Sequence, residues 1–266
     1  MIELGPGIIG GISGALGVSI CFYLFKKVPG LRVQVPEGAK ERLPELRKTY
    51  GKWMALAAVL YILVAAAIGL LLFMLFVLLN GALHSGRDTG EYYFRLADFV
   101  WALPSLFLAI IIAAVPCEFL MRWFLGGRFA EFELFSKLNQ GFDSTKLAIV
   151  MSALIVIVVA IAIPLGFDYY TRINDSGMDI NSLFSFGTHH RDYSEIRELR
   201  EVLSFKAPAG NIVRDPYHEL EFNDGKTWSF RDNVFQEEGY TEKDVFQYLS
   251  EKSGIPITAQ NPFPLD

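Results

Sequence analysis

Three histidines in the last third of the chain are the residues that most suggest chemistry. His189 and His190 lie just before Asp192, and His218 follows further along. Imidazole and carboxylate groups together form common zinc sites. Adjacent residues on a strand point to opposite faces, so His189 and His190 would reach one ion only if the chain turned there. We therefore interpret these histidines as surface or loop residues and assign no metal ligand.

Other candidate groups also lack the neighbours that chemistry would need. The acidic pairs Glu237–Glu238 and Glu219/Glu221 have no Asp-x-Asp-x-Asp-Gly loop, so they indicate a solvated face and not a calcium site. Cys21 and Cys117 each lie near the end of an apolar segment, where cysteine packs as a small apolar residue. No His-Glu-x-x-His or Gly-x-Ser-x-Gly motif occurs. We predict no catalytic, cofactor-binding or metal-binding residue, and an enzyme that uses the His189/His190 region stays an open alternative.

Charge divides the 266 residues into two parts. Residues 1–167 contain 14 Lys/Arg and 11 Asp/Glu, a net charge of +3, whereas residues 168–266 contain 10 and 18, a net charge of −8. Together with 52% hydrophobic residues, this excludes a disordered chain, a disulfide-framework mini-protein and a nucleic-acid binder with a basic surface. We expect a transmembrane domain over residues 1–167 and a soluble domain over residues 168–266.

Four segments of the first part are candidate membrane spans. Crossing the hydrocarbon takes about 20 mostly apolar residues. Residues 54–79, 99–117 and 147–167 contain no charged side chain, and ionisable groups within spans are what usually mark a transport path. Residues 8–25 are rich in glycine at spacings of four, which lets a neighbouring helix approach closely. The sequence therefore predicts a four-helix transmembrane bundle.

The first segment could instead be a signal peptide. A signal peptide opens with basic residues, but here Lys26 and Lys27 follow the apolar run. We therefore expect a retained span.

The distribution of Lys and Arg predicts how the chain is threaded. Eight of these residues follow the first segment, two lie in residues 80–98 and four in residues 118–146. Basic residues near span ends stay on the cytoplasmic side. We predict a multi-pass plasma-membrane protein with both its N-terminus and its C-terminus outside the cytoplasm.

Aromatic and amphipathic residues near the predicted span ends suggest contacts at the membrane surface. Residues 129–138 place an aromatic or aliphatic side chain at every third position, which predicts a short helix that packs on the membrane or within the chain, or that binds a partner. Several rings suit the headgroup layer. They are Trp53, Tyr92, Tyr93, Trp101, Trp123, Tyr169 and Tyr170.

The second part has the pattern of a small α+β domain with antiparallel strands and a C-terminal helix. Residues 180–186 predict a strand, and residues 217–230 predict a hairpin with its turn at Asn223-Asp224-Gly225. Residues 197–205 fit a strand or a helix, and we favour a helical turn at 194–198 that leads into a strand. Thr241 and Asp244 predict the start of the last helix and Gly254 its end, with an extended segment after it.

This order of strands, hairpin and closing helix resembles bacterial pleckstrin-homology-like domains attached to membrane spans. The resemblance covers residues 180–257 at most and rests on residues 193–196, residues 222–228 and the final helix. It implies a bacterial plasma membrane and a binding or assembly module without a transferable lipid-phosphate pocket. The net charge of −8 also argues against anionic inositol lipids.

The sequence favours an integral membrane protein with an extracytoplasmic binding or interaction domain and no enzymatic activity. The alternative is a small channel or carrier subunit that works as an oligomer or with partners. The expected contacts are the lipid bilayer and a protein partner or a second copy bound through the Gly-rich first span, with no nucleic acid and no cofactor.

Overall fold

A computed structural model describes residues 38–39, 41–85, 91–182, 187–206, 210–231, 233, 235 and 239–261. The N-terminal part is helical and the C-terminal part is rich in sheet, with one helix. The predicted first span, residues 8–25, and Cys21 lie outside the described residues, as do residues 183–186 of the strand predicted at 180–186 and the pair Glu237–Glu238.

Four helices make up the described N-terminal part. They are α1 (Leu43–His84), α2 (Ala102–Leu125), α3 (Phe129–Gln140) and α4 (Ser144–Phe167), with single 3₁₀ turns at Asp98–Trp101 and Gly126–Arg128. Three helical segments are long and apolar enough to cross a membrane: Leu43–His84, Asp98–Gln140 and Thr145–Phe167. They contain the predicted spans 54–79, 99–117 and 147–167.

The apolar side chains of these helices are exposed to their surroundings. Leu71, Val115 and Ile157 have relative exposures of 68%, 73% and 57%. Surfaces of this kind are unfavourable in water and suit hydrocarbon. Helix α1, with its 42 residues, is about 63 Å long, so it extends beyond the hydrocarbon core of roughly 30 Å.

The chain forms two compact units, and the first contains the described residues up to Leu70 together with Leu106–Val159. Within it, Phe132 and Phe135 of α3 are buried with Leu46 and Tyr50 of α1. The Tyr50 hydroxyl donates to Glu131 at 2.8 Å. The predicted short amphipathic helix at 129–138 is therefore confirmed, and it packs within its own chain.

The second unit contains Leu71–Ser105 and Ala160–Asp266. Its first sheet consists of β1 (Tyr92–Arg95), β2 (Tyr170–Asn174), β3 (Gly177–Asn181) and β4 (His189–Arg191), in that order and all antiparallel. Strand β1 lies between α1 and α2 in the chain, and it was not predicted from the sequence. The boundary at residue 168 stays a prediction, but this sheet draws on residues from both sides of it.

The second sheet consists of β5 (Ile196–Val202), β8 (Tyr217–Phe222), β9 (Thr227–Ser229) and β10 (Ile257–Gln260). Their order across the sheet is β10-β5-β8-β9. A separate small hairpin joins β6 (Phe205–Lys206) to β7 (Ile212–Val213). The predicted hairpin at 217–230 is confirmed. The other strand pairs of the two sheets are antiparallel, as predicted, whereas β10 pairs with β5 in parallel because α5 (Glu242–Ser253) carries the chain back to the start of that edge.

The core of this unit is closed by α5. Val245, Phe246 and Leu249 of the helix are fully buried with Leu199 and Leu220 of the second sheet. Thr241 and Asp244 form the predicted capping box, and Gly254 ends the helix in the left-handed conformation. Residues 193–195 form one 3₁₀ turn that leads into β5, close to the predicted turn and strand.

Aromatic rings near the helix ends divide into two groups. Trp123 is 71% exposed, as the headgroup interpretation requires, but Trp101, Tyr93 and Tyr169 are buried within the protein. The Trp101 ring stacks on Phe167 with centroids 4.3 Å apart. For the buried rings, packing in the chain replaces the expected contact with lipid headgroups.

Candidate functional site

One row of polar side chains crosses the first sheet. Tyr93 is opposite Arg172, Arg172 is opposite Asp179, and Asp179 is opposite His190. Directly opposed residues on neighbouring strands lie on the same face, so strands β1 to β4 each contribute one member. We call Tyr93, Arg172, Asp179 and His190 the cross-strand row. The alternate positions of the same strands supply core residues, among them Phe94, Ile173 and Met178.

The carboxylate of Asp179 is the centre of the row. Its Oδ2 accepts hydrogen bonds from Arg172 Nη2 at 2.5 Å and Nε at 3.0 Å, and its Oδ1 accepts one from His190 Nδ1 at 2.7 Å. Asp179 is only 7% exposed. A buried carboxylate is stable only when such partners compensate for its lost hydration.

These contacts shift the protonation of both partners. Burial raises the pKa of the Asp179 carboxyl, but the bonds from His190 and Arg172 outweigh burial and hold the pKa below its ordinary value. The bond to Asp179 raises the pKa of His190 above the usual histidine value. Asp179 therefore stays ionised near neutral pH, and His190 keeps its proton to a higher pH than an ordinary histidine does.

The row continues into α1. The Tyr93 hydroxyl is hydrogen-bonded to Nδ1 of His84, which lies in the last turn of α1. Tyr93 and His84 are both buried. One line of polar groups thus leads from the edge strand β4 to the end of α1, a helix apolar enough to cross a membrane.

The close contact of β4 with β3 depends on a glycine. Gly177 has a φ of +147°, which L side chains rarely adopt. A Cβ on Gly177 would overlap the carbonyl oxygen of Arg191 and would lie 3.2 Å from His190 Cε1. Only glycine at this position lets β4 come close enough for His190 to bond Asp179.

The histidines singled out in the sequence are not brought together. His190 Nε2 lies 3.5 Å from Asp192, whereas His189 is exposed on the other face of β4. His218 packs its ring against Phe246, and its backbone N–H donates to Glu242 at 2.7 Å. Burial raises the pKa of Glu242, and that bond partly opposes the rise. Among the described residues, no group of three or more His, Cys, Asp or Glu side chains could hold a metal ion.

Glu219 and Glu221 belong to a second charged cluster. Arg200 on β5 forms ion pairs with Glu221, with Glu219 at 3.5 Å and with Glu198 at 3.8 Å. Arg197 pairs with Glu221 at 2.9 Å. We call these five residues the arginine cluster. The acidic pair predicted to be a solvated face is therefore largely neutralised by arginine.

Sequence reasoning missed the cross-strand row, although part of its signal is visible. Thr171 and Ile173 alternate with Tyr170 and Arg172, which is the pattern of a strand with one polar face. The pairing of β1 with β2 joins residues far apart in the chain, and no local pattern gives that register.

The row can bind and release a proton at His190 and hold the charge that results. Among the described residues, the contacts of His190 are with carboxylates, and no hydroxyl or thiol is placed for it to activate. The arrangement is thus suited to proton binding and not to nucleophilic catalysis.

Comparison with known proteins adds no relative. No protein-family profile, no curated protein and no solved structure matches the chain.

Proposed function

We propose that the chain is a multi-pass integral membrane protein whose C-terminal part is a binding domain outside the cytoplasm. The observation that carries this proposal is the exposure of apolar side chains all along three helices of membrane-spanning length. Water would not tolerate so much contiguous apolar surface, whereas a bilayer would solvate it.

The first sheet supports the threading. Strand β1 follows α1, and strand β2 follows α4, yet the two strands pair along four residues. Paired strands must lie on one side of a bilayer, because an open sheet does not cross hydrocarbon. The loop after α1 and the whole C-terminal part therefore share one side. Fewer Lys and Arg residues flank the helices there than in residues 118–146, which favours the non-cytoplasmic side.

The side chains of the two sheets favour a binding role over a catalytic one. The cross-strand row contains a histidine and offers a proton site without a neighbouring nucleophile among the described residues. Ile212 and Tyr240 are the large hydrophobic residues that the described sheet-rich part leaves exposed. Exposed aromatic and aliphatic anchors of this kind are typical centres of protein interfaces.

Site-specific labelling tests the threading. We would replace Cys21 and Cys117 by Ser and then introduce single cysteines at exposed positions: Asp175→Cys in the C-terminal part and Lys48→Cys just before the predicted span 54–79. In intact cells, a membrane-impermeant maleimide should label D175C and not K48C, and permeabilised cells should label both. Labelling of K48C alone in intact cells would reverse the threading, and labelling of both in intact cells would refute a membrane barrier between them.

Photo-crosslinking tests the binding role. A photoreactive amino acid at Tyr240 or Ile212 should give a reproducible adduct in native membranes, whereas the same group at exposed Lys226 should not. If no position yields an adduct, the binding role is wrong. Cysteine scanning of α4 with water-soluble thiol reagents addresses the channel alternative, because a hydrated path would give a periodic pattern of labelling.

A further inference from the structure

The link between an exposed histidine and the end of a long apolar helix has a consequence for regulation. His190 is 46% exposed at its side chain, so solvent protons reach it directly. His84, at the other end of the line, is buried in the last turn of α1. Between them lie only Asp179, Arg172 and Tyr93, each opposite the next across the sheet.

We propose that the cross-strand row is a proton-responsive latch: protonation of His190 fastens β4 to the sheet that contacts the end of α1, and loss of the proton loosens it. The inference does not depend on which side of a membrane the sheet faces. It also does not depend on the binding role proposed above, since it concerns only the sheet and the helix end.

The charges around His190 give the direction of the effect. Asp179 on β3 and Asp192, just beyond β4, are the charged groups that face the imidazole. Arg172 on β2 lies behind Asp179 and shares its carboxylate. A protonated His190 is attracted by two carboxylates and strengthens its bond to Asp179, whereas a neutral His190 leaves an ordinary hydrogen bond.

Strand β4 is the moving part in this proposal. It has three residues, and among the described residues it pairs with β3 and forms an edge of the sheet. Its second anchor is Arg191, which pairs with Glu195 and Asp224 on the other face. Those groups stay charged through neutral pH, so the pH dependence rests on His190.

The first experiment is a histidine NMR titration of the full chain in lipid nanodiscs. The chain has four histidines, and single substitutions to Gln assign their signals. We expect the His190 midpoint to lie above the ordinary histidine value, because the bond to the ionised Asp179 favours the protonated imidazole. The His84 signal should show an inflection at the His190 midpoint. A His190 midpoint at or below the ordinary histidine value, or a His84 signal without that inflection, would overturn the proposal.

The second experiment measures amide exchange of β3 and β4 below and above that midpoint, after correction for the intrinsic pH dependence of exchange. Protection should fall by about threefold to tenfold as His190 loses its proton, because its bond to Asp179 weakens when the imidazole becomes neutral. His190→Gln should remove the change, and His189→Gln should keep it. Protection that stays constant through the midpoint in the unsubstituted chain would refute the latch, and this measurement needs no variant that might fail to fold.

Discussion

The cross-strand row and the arginine cluster lie on the two sheets of one compact unit, and they differ in what can change their charge. In the arginine cluster, Arg200 has three glutamates around it, so the loss of one partner leaves others. In the row, one carboxylate serves both Arg172 and His190. The first arrangement gives Arg200 alternative partners and contains no histidine, whereas the second joins Arg172 and His190 through one carboxylate and contains a histidine that can change its charge. The contrast suggests a structural role for the cluster and a responsive role for the row.

Removal of the shared carboxylate should have the largest effect. Asp179→Ala leaves Arg172 and His190 without their common partner, and we expect a loss of about 3 kcal/mol in the free energy of unfolding of the sheet-rich part. The matched variant Glu221→Ala leaves Arg200 with Glu198 and Glu219 and should cost about 1 kcal/mol. Denaturant titration of the full chain in detergent, followed by the fluorescence of buried Trp228, measures both. Equal losses would remove the distinction between the two clusters.

The glycines of the two sheets offer the next comparison. Gly177→Ala places a methyl group against the Arg191 carbonyl and should cost more than about 2 kcal/mol, since strain and displacement of β4 add together. Gly225→Ala, in the β8–β9 turn, has open space around its Cβ and should cost about 1 kcal/mol from its backbone conformation alone. The same denaturant titration applies. A Gly177→Ala variant as stable as Gly225→Ala would show that β4 does not need the close approach.

Loss of one hydroxyl tests whether the row reaches α1. Tyr93→Phe keeps the ring and removes the hydrogen bond to His84, so we expect a loss of about 1 kcal/mol. The His84 NMR signal should then lose its inflection at the His190 midpoint. An unchanged His84 titration would mean that the row ends at Tyr93.

The smallest expected effect is the pH dependence of stability. Because the pKa of His190 is raised in the folded state, its contribution is present below the ordinary histidine value and is lost as pH rises through the raised value. Solvent screens the half-exposed imidazole, so the loss should stay below about 1 kcal/mol. Asp179 has the opposite dependence, in acid. Because its pKa is lowered in the folded state, its contribution to stability is present above the ordinary aspartate value and is lost as pH falls through the lowered value.

Unfolding midpoints measured at about pH 6 and about pH 9, on either side of the histidine range, should detect this slope. His190→Gln should flatten it, and His218→Gln, which changes a residue of the other sheet, should leave it as it is. A slope that persists in His190→Gln would assign the pH dependence to another group.

Much of the fold follows from local patterns, and the row does not. The uncharged segments at 54–79, 99–117 and 147–167, the hairpin turn at Asn223-Asp224-Gly225 and the capping residue Thr241 each carry their signal within a few neighbouring residues. These predictions are confirmed as helices or strands. The parallel edge strand β10 and the pairing of β1 with β2 depend on contacts between residues far apart in the chain, which local propensity does not predict.

The histidines illustrate the same limit. The sequence predicted His189 and His190 to be surface or loop residues; both are exposed, and they lie on strand β4, where adjacent residues point to opposite faces. It could not see that Asp179 would be the partner of His190, because that requires the register of β3 and β4. His84 was not predicted as a candidate residue, because the position of a histidine just beyond an apolar run does not indicate that it is buried.

The position of β1 in the chain constrains how the protein is made. This strand is synthesised before α2, α3 and α4, and its strand partner among the described residues, β2, begins at Tyr170. Three helices are therefore made while the edge with Tyr92 and Phe94 still lacks β2. Such an edge is a target for chaperones and for wrong pairing. The first sheet can therefore form only after the last of these helices has been made.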